Sequence, residues 1–254
     1  MNKFRHYFSL VMQKSAADLL TEARRGYLGV LWWIIEPIIY MSVFYLIFVV
    51  VFDRGGEDRV GFLLTGLVVW KWFSAAILQS SNSISANVGL IRQVYIPKIV
   101  FPSMAIMSAT MKFFIVFILL VGFLVLSGKT PSISWLSIPL LISIQWLLML
   151  SIGCILSVLV PFLPDMKLII ENGLILMFFL SGVFFDISVA SPEVKTFLYL
   201  NPMVGIIESY RNVMLNGVWP DWIFLSVVVV SSLLALLVGV YMLVRYDRQF
   251  AKVL

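Results

Sequence analysis

The chain has 254 residues, of which 61% are hydrophobic and only 12% charged, with a net charge of +5. A soluble domain carries about 25% charged residues, so a protein built to live in water is excluded. Apolar runs reach about 20 residues, the length that carries a helix across a hydrocarbon core.

Strands of alternating polarity are missing from the pattern, which argues against a membrane β-barrel. A bundle of helices remains, because helices satisfy every backbone group internally in lipid. The basic excess flanks apolar runs instead of forming a nucleic-acid patch. Cys154, the lone cysteine, lies inside an apolar run, and His6 is the lone histidine. Neither a disulfide framework nor a cysteine or multi-histidine metal centre fits within one chain. The first 25 residues carry seven charges and no apolar h-region, so no cleavable signal peptide is expected.

Residues 3–23 predict an amphipathic helix, with Phe4, Phe8, Val11, Ser15 and Leu19 on one stripe and Lys3, Arg5, Gln13, Lys14 and Asp18 on other faces. Such a helix suits the membrane–water boundary. Six spans follow, at about 30–52, 62–84, 102–126, 136–160, 168–185 and 222–244. Trp32 and Trp33 open the first as interfacial aromatics. With the N-terminus inside, eleven Lys and Arg fall on that side and five on the other, which favours both termini in the cytoplasm.

The 36 residues between the fifth and sixth spans are too polar to cross and too apolar for an ordinary loop. Ser191-Pro192-Glu193 and Asn201-Pro202 each give a cap followed by proline at the first helical position. Met203, Ile207, Tyr210 and Met214 then recur at helical spacing, with Glu208, Arg211 and Asn212 on the other side. Two short helices at the outer face are predicted. The chain reads as one transmembrane domain over 1–254: interfacial helix 1–25, bundle 30–244, cytoplasmic tail 245–254.

Little here points to catalysis. Residues 122–130, GFLVLSGKT, end like a phosphate-binding loop, but five residues separate Gly122 from the Gly-Lys pair where the motif has four. No strand pattern precedes them, so ATP binding by this chain is not expected. Asp165 and Glu171 are the only acidic pair worth proposing, and one flanks a span that the other enters. A membrane-bound glycosyl- or phosphotransferase would carry a denser polar cluster.

Ionisable residues within spans are expensive, which singles out Glu36, Lys71, Lys112 and Glu171. Lys71, between Trp70 and Trp72, is placed within snorkelling reach of the outer interface. Lys112 sits nearest mid-membrane, facing a partner or a water-filled path. Phe178, Phe179, Phe184 and Phe185 cluster at the end of the fifth span, where aromatic faces suit sliding sugar rings or simple interfacial anchoring. Candidates for a channel or gate are Trp33, Lys71, Trp72, Lys112, Phe178, Phe179, Phe184, Phe185, Tyr199, Tyr210 and Arg211. Between the second and third spans, residues 87–102 read NVGLIRQVYIPKIVFP. Two prolines, two cations and an exposed Tyr95 predict a rigid connection that can act as a lever. A channel or secondary transporter working without ATP explains the spans and the lysines but not this lever.

RRGYLGVLWWIIEP at 24–37, LIRQVYIPKIVFP at 90–102, FFLSGVFF at 178–185 and YLNPMVGIIESYRNVMLNG at 199–217 together resemble the permease subunits of ABC-2-type polysaccharide exporters, from end to end of the chain. The resemblance implies six spans per subunit and a homodimer with two ATP-binding cassette subunits, which would hold the ATP and magnesium. It implies a bacterial inner-membrane location and a lipid-linked polysaccharide substrate: O-antigen first, capsule or teichoic acid as alternatives. No cofactor in this chain and no nucleic-acid partner are expected. By position, Arg92, Gln93, Val94, Tyr95, Ile96, Pro97 and Lys98 would form the ATPase-coupling element. Residues 192–215 would be outer gate helices, and Arg24 and Arg25 would stand at the entrance, where a lipid diphosphate finds charge-assisted contacts. Many relatives carry an Arg-Asp pair at the start of the fifth span. Here Pro164-Asp165 is followed by Lys167: Asp165 matches the acid by position, and the role of the arginine is left open.

Overall fold

The computed structural model describes residues 2–25, 29–47 and 57–253, with no strand among them. Twelve α-helices follow in order: α1 (Asn2–Arg25), α2 (Trp32–Tyr45), α3 (Glu57–Ser81), α4 (Ser83–Ala86), α5 (Val88–Gln93), α6 (Val100–Leu126), α7 (Ile138–Phe162), α8 (Met166–Leu180), α9 (Pro192–Leu198), α10 (Pro202–Met214), α11 (Trp222–Arg245) and α12 (Asp247–Val253).

Four segments of the described chain are long and apolar enough to cross a membrane: Arg59–Ser81, Val100–Leu126, Ile133–Phe162 and Trp222–Arg245. They match the expected second, third, fourth and sixth spans. The expected first span begins as α2, but residues 48–56 lie outside the described chain. The expected fifth span, 168–185, is shorter than the sequence suggested. Helix α8 has 15 residues, about 22 Å at 1.5 Å per residue. The chain turns after it at Gly182, whose φ of +70° suits glycine and stops the helix. Residues 245–254, read as a tail, carry α12.

Helix α7 is the centre of the bundle, packed against both α3 and α11, while α6 lies along α3 and α1 along α6. Small residues bring these axes together. A Cβ on Gly153 of α7 would stand 2.6 Å from the Ser80 hydroxyl of α3, and one on Gly239 of α11 would stand 2.8 Å from Cys154 Cβ. In lipid the hydrophobic effect does not hold helices together, so close van der Waals approach and interhelical hydrogen bonds must. The latter are present: Gln145 Nε2 donates to Val69 O at 3.1 Å, and Trp72 Nε1 to Thr110 Oγ1 at 3.2 Å. Helix α1 is fastened the same way. Val11, Ser15 and Leu19 of its predicted stripe are buried, and Ser15 donates to Met104 O at 3.0 Å.

The two expected short helices are α9 and α10. Asn201 caps α10 as predicted, its side chain accepting from the Met203 N–H at 3.0 Å. Ser191 occupies the α9 cap position but accepts no helix N–H. Its hydroxyl and the backbone N–H of Glu193 instead hold the Glu193 carboxyl below its ordinary range, the backbone bond contributing most.

On helix α10, Arg211 lies off the predicted apolar stripe yet is only 4% exposed. Its Nη1 and Nη2 donate to Gly182 O and Val183 O, each at 2.8 Å, and its Nε to Phe62 O at 3.0 Å. The guanidinium carbon lies 3.4 Å from the Phe62 ring centroid. Burial pulls its pKa down, and Asp186 and Glu208 oppose that shift. One planar fork thus ties α10 to α3 and to the turn after α8, a geometry that lysine's single ammonium cannot reproduce. Gly66 of α3 leaves the room: a Cβ there would stand 2.4 Å from Nη2.

Two outcomes follow for the purified subunit in detergent. Gly239→Val overpacks the α7–α11 contact and should cost about 1–3 kcal/mol, read as a lowered melting temperature, while Val238→Ala on the exposed side of α11 should leave it unchanged. Arg211→Ala leaves three carbonyls without their charged donor and should cost about 3 kcal/mol or more, with residues 186–217 becoming the first site of limited proteolysis. Arg211→Lys should not restore resistance.

Candidate functional site

The sequence-predicted site residues fall into separate groups. The first lies at the end of the bundle where α3 stops and α6 begins. Helix α5 ends at Gln93, and Val94 is extended, with φ −139° and ψ 138°. Pro97 and the turn into α6 then direct the chain back along the bundle. Arg92, Gln93, Val94 and Tyr95 are exposed, Tyr95 by 74%. Ile96 and Lys98 point the other way and are buried, with Pro97 between. The segment is therefore an exposed tip on a buried base.

Lys98, grouped with the exposed lever by sequence, belongs to the base. Its Nζ lies 3.3 Å from Asp247 Oδ1 of α12 and donates to Ile96 O at 3.3 Å. The same ammonium is 5.4 Å from the Tyr95 ring centroid. An inward-facing lysine needs such partners, because an uncompensated buried charge is costly. Asp247 was not singled out from sequence. Its signal was available in the run from Arg245 to Lys252, where an acid opens a short helix whose Phe250 is fully buried.

The second group lines a cleft of about 350 Å³ bounded by α2, α3 and α6, with Tyr40, Lys71, Trp72, Gln79 and Lys112 in its walls. Lys71 finds an aromatic partner on α2. Its Nζ stands 3.5 Å from the Tyr40 ring centroid, a cation–π contact that compensates part of the desolvation of the ammonium. Lys112 opens into the same cleft. Trp72 is 3% exposed and stacks on Phe113 at 4.0 Å between centroids, so most of its ring is packing.

The third group is aromatic. Phe178 touches Phe179 at 5.5 Å and Phe184 at 4.9 Å, and reaches Trp70 of α3 at 5.9 Å. Phe179 and Phe185 remain exposed. This patch does not line the lysine cleft: Trp70 and Lys71 leave α3 on different faces.

Between α9 and α10, Tyr199 donates its hydroxyl to Glu208 Oε2. Burial, and then Glu208, push the Tyr199 phenol well above its ordinary value, which keeps it a donor. Tyr210 is fully buried and Arg211 nearly so. Within one chain both hold α10 in place and neither faces an open path. The side chains of Arg24, Arg25 and Trp33 lie outside the described structure, as does that of Glu36.

Residues 122–130 have the wrong polarity for a phosphate loop. They end α6 at Leu126 and then turn, with Gly128 at φ +85°. A phosphate loop leads into a helix N-terminus, whose free N–H groups bind the anion, whereas here the loop follows a C-terminus. No cluster of His, Cys, Asp and Glu that could hold a metal occurs among the described residues.

The O-antigen export system permease protein RfbA of Klebsiella pneumoniae is 26% identical over 250 residues, covering 98% of this chain and 96% of the relative. The RfbA protein of Myxococcus xanthus is 27% identical over 217 residues, covering 85% and 84%. The polysialic acid transport protein KpsM of Escherichia coli is 26% identical over 225 residues, covering 87% of each chain. The model of the ABC-2 type transporter family matches residues 11–215, from within α1 to the end of α10. The chain belongs to the ABC-2 type transporter family, as a multi-pass membrane permease subunit that works with an ABC ATPase.

Proposed function

We propose that this chain is the membrane half of an exporter moving lipid-linked polysaccharide, most specifically O-antigen, out of the cytoplasm across the bacterial inner membrane. Two copies would form the path, and ATP with magnesium would be bound and hydrolysed on two separate cassette subunits. No cofactor is assigned to this chain, and the whole of 1–254 is taken as one permease domain. The O-antigen reading rests on end-to-end similarity to two O-antigen permeases. Similarity to a polysialic acid transporter at the same identity favours capsular polysaccharide as the second reading.

The observation that carries the coupling role is the tip formed by Arg92, Gln93, Val94 and Tyr95. An exposed aliphatic and a largely exposed tyrosine beside a cation give a partner both an anchor and a steering charge. The Lys and Arg distribution favours placing this end, with both chain termini, in the cytoplasm. Arg24 and Arg25 would then stand near the entrance. The exposed Phe179 and Phe185 are the best placed of the aromatic candidates to meet glycan or a second copy. The lysine cleft is a second candidate for the path.

The purified subunit should hydrolyse no ATP above background, and hydrolysis should appear only with a copurified ATPase; turnover by the isolated chain would reject the division of labour. Replacing Val94 and Tyr95 together by Asp should reduce ATPase copurification by about tenfold or more, the scale of losing one anchor residue, while leaving insertion and melting temperature unchanged. Full copurification with that variant would remove the tip from the interface.

A further inference from the structure

The tip runs from the last turn of α5 into an extended connection at Val94–Pro97, and extended backbone bends easily because it has no internal hydrogen bonds. Something must make it rigid if a push on Tyr95 is to move the spans. The structure supplies a brace from the far end of the sequence. Helix α12 touches α5, which carries the tip, as well as α7 and α11. Phe250 of α12 is fully buried, 5.5 Å from the Phe162 ring at the end of α7, and Tyr246 meets the same ring at 5.5 Å. The Lys98–Asp247 ion pair closes the arrangement between the base of the tip and the first turn of α12. The Lys98 side chain is 5% exposed and that of Asp247 24%, so the pair is screened from salt far more than a surface bridge would be. Beside it, a small cavity of about 130 Å³ separates Tyr95 and Pro97 from Leu243 and Val244 of α11, so the ion pair spans a place where side-chain packing is incomplete.

We propose that α12 is part of the coupling device, and that Lys98 and Asp247 are positioning residues which make the tip move as one body with the inner ends of α7 and α11. This rests on the reading of the tip as the ATPase contact. Displacement of the tip by the ATPase is passed to α11 through the ion pair, and from α11 to α10 at the other end of the bundle, where Gly205 packs directly beneath the Phe224 ring. Without the pair, the ATPase still docks on Val94 and Tyr95, but its movement is absorbed by the connector.

The test separates docking from transmission. Cys154 is buried and is the lone cysteine of the sequence. A cysteine introduced at the exposed Val218, between α10 and α11, therefore reports movement there through its labelling rate with a membrane-impermeant maleimide. In the complex with its ATPase, ATP should change that rate. Lys98→Ala and Asp247→Ala should each reduce the ATP-dependent change by about tenfold, a typical allosteric coupling factor, with ATPase copurification retained and the melting temperature lowered more by Asp247→Ala, which leaves the Lys98 ammonium unpaired. The exchange Lys98→Asp with Asp247→Lys should restore it. Asp247→Asn, nearly isosteric at a partly exposed position, carries the same expectation if the alanine variant does not insert. Unchanged responses in the single variants, or no recovery in the exchange, would overturn the brace. Loss of copurification in the single variants would overturn it too, by making the pair part of the docking surface. If no ATPase copurifies even with the unaltered chain, the proposed function itself fails instead.

Discussion

Close approach of helix axes at small side chains is the constraint on which the bundle depends. Inside a bilayer an exposed leucine is as well solvated as a buried one, so apolar burial does not select one packing over another. Contact distance and polar pairing do. Gly153 against Ser80 sets how near α7 comes to α3, and Gly239 against Cys154 sets how near it comes to α11. The Gln145 and Trp72 hydrogen bonds then fix rotation about the helix axes. The apolar exterior, with Leu234, Leu237 and Tyr241 of α11 open, is what a lipid-facing surface requires.

Charge is used sparingly on this scaffold, and always with a stated partner where the structure describes one. Arg211 binds three carbonyls with its fork and lies on a ring. Lys98 pairs with Asp247, and Lys71 lies on Tyr40. The three cations do different jobs because their surroundings differ. The first ties α10 to α3 and to the turn after α8, the second joins the connector to α12, and the third stands in the wall of a cleft.

The two ends of the molecule are linked by helices that run the full length of the bundle. Helices α7 and α11 touch α12 at one end and α10 at the other. Transport driven by an ATPase needs such a rigid link, since the energy is released outside the membrane and the path must open inside it. Rigid-body movement of packed elements is the ordinary way to carry such a signal.

Length, apolar runs and cap-proline signals were enough to read an all-helical membrane protein, to place four long spans within a few residues and to find both outer helices. Those are local properties: periodicity, capping and the thickness of a bilayer act within one element. The exposed tip was legible for the same reason, since prolines and a tyrosine in a short connection constrain it locally. What sequence could not assign was the direction of each charged side chain. Arg211 reads as one of the residues on the side of α10 away from its apolar stripe and as a gate candidate, and only the Gly182 turn and the α3 backbone, 28 or more residues away in the chain, make it a buried tie. Lys98 reads as part of a basic inner loop until α12 brings Asp247 against it, 149 residues later. Likewise α8 is shorter than its apolar run because the chain turns at Gly182, where Arg211 takes the carbonyl. Sequence determined which long segments are helices; tertiary structure decided which charges hold them together, because a buried charge is defined by partners that only folding brings near.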